Sequence, residues 1–142
     1  CIWLEGSTMM KGLQLASMIA LAAGDIVPTV EIAPGVNMPV VNLGGVAERP
    51  SNYSAFLEVG GVGLDTAYTY TTQPAVGQAI KNSGLPRDKI FVTTKIPCCP
   101  IFRPWSNPGC NGVTPANASQ LIDDNLQQMG LEYVDLLLLH WE

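Results

Sequence analysis

The sequence predicts an α/β fold: a parallel sheet with helices outside it, entered through an N-terminal β-hairpin. Three observations carry this. From Val30 onward, apolar or β-branched runs of strand length alternate with stretches of helical spacing. The order is a hairpin and then strand–helix steps up to a fourth strand, an alternation that produces parallel pairing. The 142 residues are 47% hydrophobic and 13% charged, enough for one core and far from the disordered class.

The elements follow in order. VEI (30–32) and MPVVNLG (38–44) read as strands joined through APGVN, where Pro34-Gly35 makes the turn. NYSAFLEVG (52–60) spaces Tyr53, Phe56, Leu57 and Gly60 as a helix closed by glycine. VGLDTA (62–67) is a short buried strand. QPAVGQAIKNSG (73–84) begins with an early proline, sets Val76, Ala79 and Ile80 on one face and stops at Gly84. KIFVTTKIP (89–97) is a strand rich in β-branched residues. In TPANASQLIDDNLQQMG (114–130), Thr114 can cap a helix whose first turn suits Pro115. Leu121, Ile122, Leu126 and Met129 line one side of it and Gly130 ends it. YVDLLLLH (133–140) is nearly continuous in apolar residues, as expected of a strand covered on both faces. Residues 97–114, rich in Pro, Gly and Cys, leave the carboxyl end of the third strand, the side on which α/β proteins bind ligands.

Charge narrows the partners. A net charge of −5, with seven scattered Lys and Arg, lacks the clustered basic face of a nucleic-acid binder. Ahead of the alternating region, Lys11 precedes an apolar run from Leu13 to Ala23 that ends in small residues. Residues 9–24 therefore read either as a secretory signal or as a buried segment of the core. The run is too short to span a bilayer, which takes about 20 residues. Eight residues stand before Met9, so the start at Cys1, Met9 or Met10 stays open. The secretory pathway follows if the segment is a signal, a cytoplasmic location otherwise. Cys98, Cys99 and Cys110 lack the paired spacing of a zinc site, and no metal is expected. A disulfide from Cys110 to Cys98 or Cys99 requires an oxidising compartment. Asn52-Tyr53-Ser54 and Asn117-Ala118-Ser119 fit a glycosylation sequon that matters only in a secreted chain.

The polar residues near the strand ends point to chemistry. Asp65 lies on the second strand with Tyr70 just beyond, Lys95 on the third, and His140, the single histidine, closes the fourth. In a parallel sheet these ends converge on one face. Each alone has a structural use: Asp65 as a turn cap, Lys95 as its ion-pair partner, Tyr68 and Tyr70 as core aromatics, His140 as a satisfied core residue. Together they suit protonation of an oxygen. A free phenol, with a pKa of about 10, is a poor acid at neutrality unless a cation lowers it. Lys95 can be that cation, and Asp65 can hold Lys95. His140 can donate a hydrogen bond to a carbonyl.

GLDTAYTYTTQPAVGQAI (63–80) resembles the aldo-keto reductase signature, in which Asp-Thr-Ala leads to a tyrosine five residues after the acid and then to a Val-Gly-x-Ala-Ile helix. GVNMPVVNLGG (35–45) is similar to that family's entry hairpin and first strand, FVTTKIP (91–97) to its lysine strand, and LEYVDLLLLHWE (131–142) to its histidine strand. The resemblance spans about residues 30–142 and implies a (β/α)₈ TIM barrel, of which the first four strand–helix steps are present behind an N-terminal segment of residues 1–29. It implies NAD(P)H-dependent reduction of an aldehyde or ketone, with Tyr70 as proton donor and Asp65, Lys95 and His140 completing the tetrad. The five-residue spacing selects Tyr70 over Tyr68. NADPH is the implied cofactor, NADH the alternative, with Gly44, Gly45 and Asp65 beside it. The implied partner is a small carbonyl compound, with no nucleic acid and no membrane span. Where the family carries Thr, often then Trp, after its first-strand Gly, this chain has Gly45 and Val46. A complete barrel takes about 250 residues, and the resemblance places most of the dinucleotide site in the other half. The 142-residue chain alone is therefore expected to show no turnover. The rival reading is a non-catalytic regulatory or binding subunit on a similar barrel.

Overall fold

A computed structural model of the chain describes residues 27–45, 52–97 and 115–140. The hairpin comes first. β1 (Thr29–Ala33) pairs antiparallel with β2 (Val36–Pro39) about Gly35, whose φ of 77° is open to glycine and to few other residues. Glu31 Oε1 closes the turn by accepting from Gly35 N at 2.8 Å.

Here the structure departs from the sequence reading. MPVVNLG is not one strand: β2 ends at Pro39, and a separate β3 (Leu43–Gly44) starts the parallel sheet. Between them Val40 and Val41 are exposed, and the Asn42 amide donates to Pro39 O at 2.7 Å, folding the chain out of the hairpin. An Asn side chain that captures a backbone carbonyl three residues back favours a turn over a continuing ladder.

The main sheet has the order β3-β4-β5-β6 and is parallel throughout, with β4 (Gly63–Asp65), β5 (Phe91–Ile96) and β6 (Leu136–Leu139). Three helices pack on one side. In α1 (Tyr53–Glu58), Asn52 Oδ1 caps Ala55 N at 3.1 Å. α2 (Gln73–Ser83) carries Pro74 in its first turn and ends at Gly84 in the left-handed conformation. α3 (Pro115–Met129) ends before Gly130, at φ 66°. The expected face of α2 is buried, with Val76, Ala79 and Ile80 meeting Tyr53, Leu57, Leu64, Ile90, Val92 and Met129 in one core. In the sheet, Leu64, Val92, Thr94 and Ile96 turn towards the helices. Their neighbours Asp65, Thr93 and Lys95 therefore turn to the opposite, inner face, since side chains alternate along a strand.

β6 is not covered on both faces as expected. Leu138 and Leu139 are exposed, and among the described residues β5 is its only strand partner. A clasp fixes its start. Arg87 donates to Tyr133 O at 2.9 Å and to Asp135 Oδ2 at 2.8 Å, and that same oxygen accepts from Val92 N at 2.8 Å. The guanidinium also lies 4.0 Å over the Tyr133 ring. Among the described residues no helix is long and apolar enough to cross a membrane. Residues 9–24, the cysteines, Val46 and the Thr114 cap lie outside the described residues.

α2 and α3 approach closely at Gly77, where a Cβ would overlap the carbonyl of Met129 and sit 3.1 Å from its Cα. Gly77→Ala is expected to force α2 and α3 apart, destabilising by about 1–3 kcal/mol although alanine is the better helix former. Denaturant unfolding measures the loss. An unchanged midpoint would show that the helices adjust freely.

Candidate active site

Four residues named from sequence meet at the carboxyl ends of the parallel strands. The register pairs Asp65 with Thr93, and the ladder runs on past β4, Thr66 N donating to Thr93 O and Tyr68 N to Lys95 O, each at 2.9 Å. Lys95 thus stands one inner-face step beyond Asp65, within reach of its carboxylate. Its ammonium donates to Asp65 Oδ1 and to the Thr66 carbonyl at 2.8 Å. His140 continues the next ladder, its N–H donating to Ile96 O at 2.9 Å, which places it on the inner face beside Lys95.

Tyr70 comes from the turn after β4. Tyr70 N donates to Ala67 O at 2.8 Å, and Gln73 N to Tyr70 O at 3.3 Å as α2 begins. The phenol ring meets His140 edge-on, with centroids 5.6 Å apart and planes at 72°. The Lys95 ammonium lies 5.7 Å from the Tyr70 ring centre. Tyr68, also half-buried, has its backbone in the ladder to Lys95.

The electrostatics differ from the sequence reading in one respect. Lys95 does not bring the Tyr70 pKa down. Burial holds it above 10, and the Asp65 carboxylate and the Tyr53 phenol add to the rise. The lysine charge is already engaged by Asp65 and the Thr66 carbonyl, so little of it remains for the phenol. Burial also pushes the His140 pKa below its usual value, the Lys95 cation adding to this while Asp65 opposes it. His140 is therefore neutral at pH 7, able to offer one N–H.

Gly44 and Gly45 differ in surroundings. Gly44 pairs with Asp65 at the end of β3, and a side chain there would enter open space. Gly45 is turned the other way, its N–H already given to Asp65 O at 2.8 Å.

Sequence reasoning missed the layer behind the lysine. Gln73, Thr94 and Asn125 are buried polar side chains. Thr94 Oγ1 lies 3.0 Å from Gln73 Oε1 and 2.9 Å from Asn125 Oδ1, Gln73 Nε2 donates to Gln128 Oε1 at 2.9 Å, and Asn125 Nδ2 donates to Lys95 O at 3.3 Å. One signal was present: Asn125 interrupts the apolar stripe of α3 between Leu121 or Ile122 and Met129.

Comparison with known proteins bears on the family of the chain. The model of the Aldo/keto reductase family matches residues 47–142. An aldo-keto reductase of Mycolicibacterium smegmatis is 39% identical over 119 residues, covering 81% of this chain and 38% of that protein. The glycerol 2-dehydrogenase (NADP(+)) of Saccharomyces cerevisiae is 37% identical over 111 residues, covering 75% of this chain and 31% of that protein. The crystal structure of an aldo/keto reductase from Brucella melitensis aligns with a TM-score of 0.67 at 32% identity, over 82% of this chain and 41% of that one. The chain spans about two-fifths of the length of the first of these curated relatives. The (β/α)₈ class expected from the sequence is borne out by these neighbours, represented here by four parallel strands and the N-terminal hairpin.

Two titrations test the electrostatics. Lys95→Met leaves the Asp65 charge unopposed and is expected to raise the Tyr70 pKa further, whereas Asp65→Asn lowers it. Phenolate absorbance against pH, with Tyr70→Phe as the blank, reads both, and shifts of the same sign would contradict the assignment. The second concerns stability. A histidine whose folded pKa lies below its unfolded value of about 6.5 contributes stability that is present above that pH and lost as pH falls through the folded pKa. His140→Gln should flatten the acid side of a plot of melting temperature against pH, and an unaltered slope would contradict the burial of His140.

Proposed function

Since this chain belongs to the aldo/keto reductase family, we propose that the protein reduces an aldehyde or ketone to an alcohol with NADPH, Tyr70 giving the proton. The observation that carries this reading is the convergence of Asp65, Lys95, Tyr70 and His140 on one strand-end face. NADPH is favoured over NADH by the yeast relative named for NADP(+).

The residues present fit a nicotinamide at this face. At Gly44, in register with Asp65, the backbone bears no side chain and the space a Cβ would enter is open. A planar ring can approach such a surface closely, which a side chain would prevent. The reduced nicotinamide, when bound, supplies the hydride.

Tyr70, with its pKa held above 10, stays protonated across the neutral range and is the proton reservoir. As its proton leaves for the alkoxide oxygen, negative charge grows on a phenol whose ring centre lies 5.7 Å from the Lys95 ammonium. That attraction exists in the transition state far more than in the ground state, which is the condition for acceleration. Asp65 and the Thr66 carbonyl keep the ammonium in place meanwhile. Neutral His140, edge-on to the Tyr70 ring, can orient the carbonyl by one hydrogen bond.

The test is substitution in the complete protein carrying this sequence. Tyr70→Phe is expected to lower kcat by about 10²–10⁴-fold, the usual contribution of a general acid, while NADPH binding persists by fluorescence. Tyr68→Phe should stay within a few-fold of the parent. The reverse pattern, with Tyr68 essential and Tyr70 dispensable, would falsify the assignment.

A further inference from the structure

Gly45 lacks a side chain for a reason its own backbone does not supply. Its φ is not among the positive values found at Gly35, Gly60, Gly84 and Gly130, so other residues could adopt the same conformation. What forbids a side chain is Tyr53. A methyl carbon on Gly45 would overlap the Tyr53 hydroxyl oxygen, and it would lie 3.5 Å from both the Asp65 carbonyl oxygen and Thr72 Oγ1. The phenol of Tyr53 is 2% exposed, and its hydroxyl has no hydrogen-bond partner among the described residues.

Three pieces of the site meet at the point such a carbon would occupy, next to that hydroxyl. Gly45 follows β3, Asp65 ends β4, and Thr72 lies two residues beyond Tyr70 at the start of α2, where its carbonyl accepts from Ala75 N at 3.0 Å. A phenylalanine would fill the same space without desolvating a hydroxyl. We propose that Tyr53 is a positioning residue of this site: its hydroxyl, lodged where a side chain on Gly45 would stand, braces the ends of β3 and β4 and the turn that presents Tyr70. Its effect on turnover rests on the reductase reading given above. Its effect on Tyr70 does not, and Tyr53 is already one of the groups that hold the Tyr70 pKa up.

The test is a double-mutant cycle of Gly45→Ala and Tyr53→Phe in the complete protein, assayed with NADPH and 4-nitrobenzaldehyde. Gly45→Ala should lower kcat by about 10- to 100-fold, the usual cost of a small misplacement, with the KM for the aldehyde within about threefold. Because the clash is with the hydroxyl itself, adding Tyr53→Phe should recover most of that loss, together with the lost melting temperature. Tyr53→Phe alone should move the Tyr70 phenolate titration, read by absorbance against a Tyr70→Phe blank, to lower pH while the fold persists. An equal loss from Gly45→Ala in both backgrounds overturns the proposal, as does a Tyr70 titration unmoved by Tyr53→Phe. If Gly45→Ala prevents folding and the double variant folds, the proposal stands. If neither folds, the titration of Tyr53→Phe decides it. Absence of turnover in the parent would defeat the reductase reading, and full turnover in Tyr70→Phe would defeat its proton donor; in either case the titration and melting arms judge Tyr53 on their own.

Discussion

Lys95 sits inside a strand, where a charge is costly. With 16% of its side chain exposed, the ammonium would forfeit most of its hydration, a penalty of several kcal/mol without a partner. Parallel register supplies one. Asp65 and Lys95 lie on adjacent strands, turned to the same face and offset by one inner-face step, so the ammonium reaches both the carboxylate and the Thr66 carbonyl. The ion pair therefore does more than neutralise a charge. It ties the segment leaving β4, which goes on to carry Tyr70, to β5.

The main chain of the same lysine is held from another direction. Its carbonyl accepts from Tyr68 N in the ladder and from the Asn125 amide behind the sheet. Asn125 in turn meets Thr94, whose single hydroxyl proton faces two acceptors and can serve only one at a time. A polar network in the helix layer and an ion pair on the inner face thus grip one residue at both ends. Fixing a long, flexible side chain in this way takes its ordering entropy at folding rather than at the moment of reaction.

Alternation of strand and helix was legible because α2, β4 and β5 each carry an unbroken local signal: an early proline and terminal glycine for α2, short apolar runs for the strands. The convergence of Asp65, Lys95 and His140 on one face was legible because a polar residue at the end of an apolar strand stands out. Other features depended on partners distant in sequence. The break between β2 and β3 follows from the Asn42 amide capturing a carbonyl, an event that apolar periodicity does not register. Tyr53 read as one more apolar position of a helix, and only its proximity to Gly45 sets its hydroxyl apart from the rest of the core. Asn125 breaks the apolar stripe of α3, and its reason, Lys95 O facing it, lies 30 residues away in the chain.

The sign of the Tyr70 shift carries the same lesson into energetics. From sequence, a lysine near a phenol suggests a lowered pKa, since cation and phenolate attract. In the folded protein the carboxylate that makes Lys95 tolerable also cancels most of its field at Tyr70, and burial then dominates. A neutral phenol beside a nearly neutral ion pair is a low-charge resting arrangement, cheap to bury. On the reductase reading, the balance changes only when the proton leaves: Lys95 then faces two anions, Asp65 and the nascent phenolate, and its attraction for both is strengthened by the low dielectric that had raised the Tyr70 pKa. Burial that weakens the acid at rest therefore also strengthens the cation's hold on its conjugate base, so long as Lys95 remains within reach of both.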